Sequence, residues 1–212
     1  MDHCLVVPDS PRWLLVLAHG AGAGMRHPFL QRIADALAAR AIATFRYEFA
    51  YMAQRSGRPD PPAVAAARVR EATLEAARLV PGVPLLAGGK SFGGRMTSTA
   101  QAETPLPGVR GLVFLGFPLH PPGKAAITRA EHLARVHIPM LFLSGTRDEF
   151  AELELLRPVV EGLGTRATLH LIEGGNHAFA VRKVDRGPRE VMDVLADAVR
   201  DWAGTLGGQG TA

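Results

Sequence analysis

The stretch Pro84-Leu85-Leu86-Ala87-Gly88-Gly89-Lys90-Ser91-Phe92-Gly93-Gly94-Arg95 decides how the rest of the chain is read. Its first half is a short apolar run. Its second half is Gly-x-Ser-x-Gly, followed by residues that continue as a helix. Strand, sharp turn and helix in that order make a nucleophile elbow, in which the serine hydroxyl projects from the end of a sheet. Gly89 and Gly93 leave room where a Cβ would crowd the reversing backbone. A serine so placed needs a base, an acid to orient that base, and N–H donors for a developing oxyanion.

Outward from the elbow, apolar runs and helical patterns alternate. Trp13-Leu14-Leu15-Val16-Leu17-Ala18 is a continuous apolar run, as expected of a strand buried on both faces. Residues 5–7, 41–47, 109–115, 138–143 and 167–172 read as further strands. Phe29, Ile33, Leu37 and Ala41 recur at helical spacing behind Pro28. Residues 63–80 are alanine-rich and helical, 149–161 read as a helix, and 48–62 and 117–137 read as loops rich in proline and glycine, the latter ending in a short helical piece. Val191, Val194, Leu195, Ala198, Val199 and Trp202 mark one face of a terminal helix, with Pro188 near its start. The expected fold class is α/β, a doubly wound, mostly parallel sheet of six to seven strands. One domain is expected over residues 1–203, with a flexible tail over 204–212. Ligands of such sheets sit at the carboxyl ends of the strands, so the loops there are the ones to search.

Among eight histidines, His177 is best placed as the base, in Gly174-Gly175-Asn176-His177 after the last strand. Asp148, in Gly145-Thr146-Arg147-Asp148 after another strand, is the orienting acid. The chain order is then serine, acid, histidine, as the elbow-type hydrolases require, and each interval has room for a strand and a helix. Glu149, the neighbouring acid, is read as opening the next helix. The Phe92 amide follows the elbow serine and supplies one oxyanion donor; Ala21, then Gly22, in His19-Gly20-Ala21-Gly22 supply the other. His19 is read as a brace for that loop. Arg46, Tyr47 and Lys90 are candidate substrate-binding residues. Arg46 or Lys90 would favour an anionic or polar acyl group, unless Arg46 pairs with a neighbouring acid such as Glu48.

Other chemistries fit less well. Gly89-Lys90-Ser91 matches the end of a phosphate-binding loop, but Pro84 stands where that motif needs its first glycine. Gly20-x-Gly22-x-Gly24 approaches a dinucleotide fingerprint, but Met25 occupies the place of the third glycine and no acid follows at the right distance. No cluster has metal-ligand spacing; His132 and His137 lie in a loop. A net charge of +4 comes from arginines scattered among acids, and aromatic residues make up only 6%. Neither feature builds a nucleic-acid surface. No apolar run is long enough for a membrane span. Cys4 is the single cysteine and the N-terminus lacks a basic start, so a reduced, cytoplasmic setting is expected.

The elbow, the HGAG loop at residues 19–22, the Gly-Thr-Arg-Asp148 segment and the Gly-Asn-His177 segment together resemble the α/β-hydrolase superfamily. The likeness runs over nearly the whole chain. It is nearest to the small lidless branch around dienelactone hydrolase, which includes uncharacterised bacterial hydrolases and relatives that serve as a subunit of a histone acetyltransferase complex. The resemblance implies a serine nucleophile with aspartate and histidine partners, carried here by Ser91, Asp148 and His177, with no cofactor. It also implies a truncated sheet and no large cap. The expected activity is a carboxylesterase-like hydrolysis of small esters, thioesters or lactones, with a small molecule as the partner. The alternative is a binding or scaffold protein that retains the fold.

Overall fold

The computed structural model describes residues 1–207 apart from 55, 186 and 188. The expected tail from 208 onward and Pro188 therefore lie outside the described residues. Seven strands form one sheet: β1 (His3–Val6), β2 (Trp13–Ala18), β3 (Ile42–Tyr47), β4 (Leu85–Lys90), β5 (Val109–Leu115), β6 (Met140–Gly145) and β7 (Ala167–Ile172). Their spatial order is β1-β3-β2-β4-β5-β6-β7. Only β1 runs antiparallel, along the outer edge of β3.

Among the described residues the α-helices are α1 (Pro28–Ala38), α2 (Ala50–Ala53), α3 (Pro62–Leu79), α4 (Phe92–Glu103), α5 (Leu153–Gly162) and α6 (Val191–Leu206). The period-two alternation of the strands sends their side chains into two separate cores. Leu14, Val16 and Ala18 of β2 join Phe114 and Phe142 under α3, α4 and α5. Trp13, Leu15 and Leu17 face the opposite way, against α1 and α6. Central strands are thus apolar on both faces, which is why β2 reads as an unbroken apolar run.

Two starts are set by prolines at the first turn: Pro28 opens α1 and Pro62 opens α3. The nitrogen Nδ1 of His27 also accepts the Phe29 amide at the start of α1.

Several boundaries differ from the sequence reading. The region 48–62 contains the single-turn α2, too short to show a helical period. The short helical piece expected in 117–137 is a 3₁₀ segment over 128–135, and that connection forms a rim, in keeping with the expected lack of a large cap. α5 starts at Leu153, not at residue 149, because Asp148 and its neighbours close a tight turn first. α6 continues through Gly204 to Leu206, so the expected tail boundary at 204 falls inside a helix.

The winding direction reverses between β2 and β4. The chain leaves β2 toward β3, returns across β2 to β4, and then proceeds outward through β5, β6 and β7. The carboxyl ends of β2 and β4 flank that reversal, where an open α/β sheet leaves a crevice.

Candidate active site

Ser91 stands between the end of β4 and the start of α4, with φ 50° and ψ −114°. A non-glycine residue at positive φ is strained by roughly 1–3 kcal/mol, and such strain persists only where surrounding packing imposes it. That packing is visible. A Cβ on Gly89 would lie 2.5 Å from the Ala18 carbonyl oxygen, and one on Gly93 would lie 2.5 Å from the His19 carbonyl oxygen. β2 and its loop therefore press directly on both sides of the elbow. The Ser91 amide donates to the Leu115 carbonyl at 3.1 Å and fixes the turn against β5.

Two more loops converge on Ser91. The loop after β6 carries Asp148 and the loop after β7 carries His177. They are held together by backbone contact: Thr146 N donates to Ile172 O at 3.0 Å and Arg147 N to Gly175 O at 2.8 Å. A Cβ on Gly145 would lie 2.1 Å from the Gly175 carbonyl oxygen, so only glycine permits this approach. The result is a continuous chain of hydrogen bonds. His177 Nε2 is 2.8 Å from Ser91 Oγ, and His177 Nδ1 is 2.9 Å and 2.8 Å from the two Asp148 oxygens. A carboxylate only accepts, so Nδ1 carries the proton and Nε2 is left to accept from the serine hydroxyl.

The Asp148 side chain is wholly buried, and its Oδ1 also accepts the Phe150 amide at 2.9 Å. The Phe150 ring lies against the imidazole with centroids 4.2 Å apart, fixing its plane. Glu149, expected to open a helix, instead sits inside this turn ahead of α5.

The candidate oxyanion donors divide. Phe92 is the first residue of α4, where an N–H has no partner in its own helix. Ala21 lies at the edge of the cavity that opens at Ser91, and its N–H donates to no other atom among the described residues. The Gly22 N–H is turned away and donates to the Tyr51 hydroxyl at 3.0 Å. It is therefore committed to another partner. Beneath the loop, buried His19 meets the Gly20 carbonyl through Nδ1 at 2.8 Å and accepts the Phe49 amide on Nε2 at 3.1 Å. Burial lowers its pKa, so it braces the loop as a neutral ring. Tyr51 and Phe49 were not singled out in the sequence, because they lie in a segment with no periodic signal.

Of the expected substrate-binding residues, only Lys90 borders the cavity. Its Nζ donates to the His177 carbonyl at 2.7 Å and lies 5.5 Å from the centre of the Phe179 ring. Burial pulls the Lys90 pKa down to about 8, although Asp148 and Glu149 oppose that shift. Arg46 and Tyr47 do not reach the cavity. Alternation along β3 sends Tyr47 into the core under α3 and α4. It sends Arg46 to the α1 side, where its guanidinium donates to the Met25 carbonyl and to the Gln31 side chain, at 3.3 and 2.9 Å, rather than to Glu48. His132 is likewise engaged, 2.7 Å from Ser98 Oγ.

A model of the alpha/beta hydrolase domain matches residues 11–205. The chain belongs to the α/β-hydrolase family. Solved hydrolase structures share its fold at low identity. Dienelactone hydrolase from Anabaena variabilis aligns with a TM-score of 0.73 at 22% identity, over 96% of this chain and 90% of that one. A lidless α/β serine hydrolase from Xanthomonas campestris aligns with a TM-score of 0.73 at 20% identity, over 95% and 88%. Est1E from Butyrivibrio proteoclasticus, solved with ferulic acid bound, aligns with a TM-score of 0.71 at 15% identity, over 98% and 96%. Within this hydrolase fold, the Ser91, Asp148 and His177 loops occupy the carboxyl edge of the sheet, and among the described residues no large cap covers them.

Proposed function

We propose that the chain is a serine hydrolase acting on carboxylic esters, thioesters or lactones through an acyl-enzyme on Ser91. The observation that carries this reading is the Ser91–His177–Asp148 relay, with donor–acceptor distances of 2.8 to 2.9 Å.

His177 Nε2 takes the hydroxyl proton as Ser91 Oγ attacks the carbonyl carbon. The negative charge that develops on the carbonyl oxygen is stabilised by the Phe92 and Ala21 amides, acting as preorganised donors. Asp148, buried against the other ring nitrogen, stabilises the imidazolium without taking its proton. Collapse of the tetrahedral intermediate breaks the bond to the leaving oxygen or sulfur, which takes the proton from Nε2. Water then repeats the sequence on the acyl-enzyme, with His177 as base, and restores Ser91. Nothing in these steps calls for a cofactor.

Asp148→Asn tests the assignment, because an amide can present its N–H to Nδ1 and hold the wrong tautomer. The expected result is a fall in kcat on the order of 10⁴ with little change in KM, read on p-nitrophenyl acetate. A variant with wild-type kcat would remove Asp148 from the relay.

A further inference from the structure

We propose that the substrate carries a large, neutral, apolar acyl group, seated between α1 and α6. This deepens the hydrolase reading above and rests on it.

A cavity of about 1100 Å³ opens at Ser91 and passes between the first turn of α1, the His177 loop and the first turn of α6. That volume is slightly above the usual range of roughly 300–1,000 Å³ for pockets that hold drug-sized ligands, far beyond what an acetyl group fills. Its walls are chiefly apolar. Phe29 of α1 and Phe179 of the His177 loop stack, with centroids 5.9 Å apart and planes 14° from parallel. Val191, Met192 and Val194 of α6 continue the wall. Charged residues of both signs border it: Arg32, Lys90 and Arg189 against Glu173 and Glu190. With Arg189 paired to Asp197, an anionic acyl group finds no dominant field.

Phe179 is held in this wall at a cost. Its φ is 60°, in the region that favours glycine. Asn176 imposes that conformation: its side-chain oxygen accepts the Ala178 and Ala180 amides, at 3.0 and 2.9 Å, and its carbonyl accepts the Phe179 amide at 2.8 Å. One turn thus brings His177 to Ser91 and holds the Phe179 ring against Phe29.

The two sides of the ester are distinguishable. The leaving oxygen must lie on the His177 side, since Nε2 returns its proton there. The acyl chain takes the cavity itself, which Ala21, Pro28, Phe29 and Phe179 border. The walls are tied together at their far end, where Arg40 after α1 donates to Asp197 and Asp193 of α6 at 2.6 and 3.0 Å.

The test is a chain-length series of p-nitrophenyl acetate, butyrate, octanoate and laurate, with Met192→Trp and Val191→Phe to fill the cavity. The wild type is expected to show kcat/KM at least about tenfold higher for octanoate than for acetate, from burial of the added methylenes. Either folded variant is expected to bring that ratio down about tenfold. A wild type that prefers acetate, or shows no preference, overturns the proposal while Ser91-dependent acetate cleavage leaves the hydrolase reading standing. An octanoate preference unchanged in both folded variants also overturns it. Cleavage of no ester, with no labelling of Ser91, removes both.

Discussion

A Cβ placed on Gly93 meets the His19 carbonyl oxygen at 2.5 Å, the Ala18 side chain at 2.7 Å and the Ala18 carbonyl oxygen at 2.7 Å. None of these neighbours is the end of a flexible side chain, so Gly93→Ala must push β2 away from the elbow. The expected cost is about 1–3 kcal/mol of stability, together with displaced Phe92 and Ser91, read by denaturant unfolding and ester hydrolysis. A stable, fully active Gly93→Ala protein would mean that the elbow is not clamped as described. Lys90, one residue before Ser91, makes a different prediction. Its pKa is about 8 in the folded chain against 10.5 when unperturbed. Between those values the unfolded chain binds more protons, so this group makes stability rise with pH from about 8 to 10.5. Lys90→Met removes that contribution. The wild-type stability minus that of the variant should increase through this window and level off on either side. A difference independent of pH would show that Lys90 is not buried as a charge against the His177 loop.

At the scale of elements, the sheet was largely legible and the connections were not. β2, β4, β5 and β6 declare themselves as apolar runs because both of their faces are buried, and the 28–38 and 191–206 helices show their single buried stripe. The relay residues were legible because each lies in a glycine-containing segment that follows a strand, Ser91 after β4, Asp148 after β6 and His177 after the edge strand β7. Arg46 and Tyr47 misled because a strand end fixes height in the sheet but not which layer covers a side chain. Adjacent residues of β3 point to opposite layers: Tyr47 enters the core under α3 and α4, and Arg46, on the α1 side, is held by the Met25 carbonyl and Gln31 rather than facing the cavity. Gly22 misled because its partner, Tyr51, sits on a one-turn helix that no period could reveal. That contact carries its own prediction. Tyr51→Phe removes the acceptor of the Gly22 N–H and loosens the loop bearing Ala21. The change should cost about 0.5–1.5 kcal/mol in kcat/KM, with a smaller effect on global unfolding. An unchanged kcat/KM would show that Tyr51 does not hold the Ala21 loop in a way that matters to catalysis.

For the whole molecule, the reversal of winding between β2 and β4 explains why four distant segments meet at one point. It places residues 19–22 beside residues 90–92, and the outward course through β5, β6 and β7 then delivers Asp148 and His177 on neighbouring loops. The described residues put no large cap over this edge, so α1, α6, the His177 loop and the loop bearing Ala21 shape the space over Ser91. None of the described helices is long and apolar enough to cross a membrane. The central claim is that Ser91 is a nucleophile activated by His177, and covalent labelling measures it most directly. Wild-type protein treated with a fluorophosphonate and mapped by peptide mass should carry one adduct on Ser91. Ser91→Ala should carry none, and His177→Ala should label far more slowly while remaining folded. An adduct on another residue, an adduct that persists in Ser91→Ala, or a folded wild type that does not label would contradict the account.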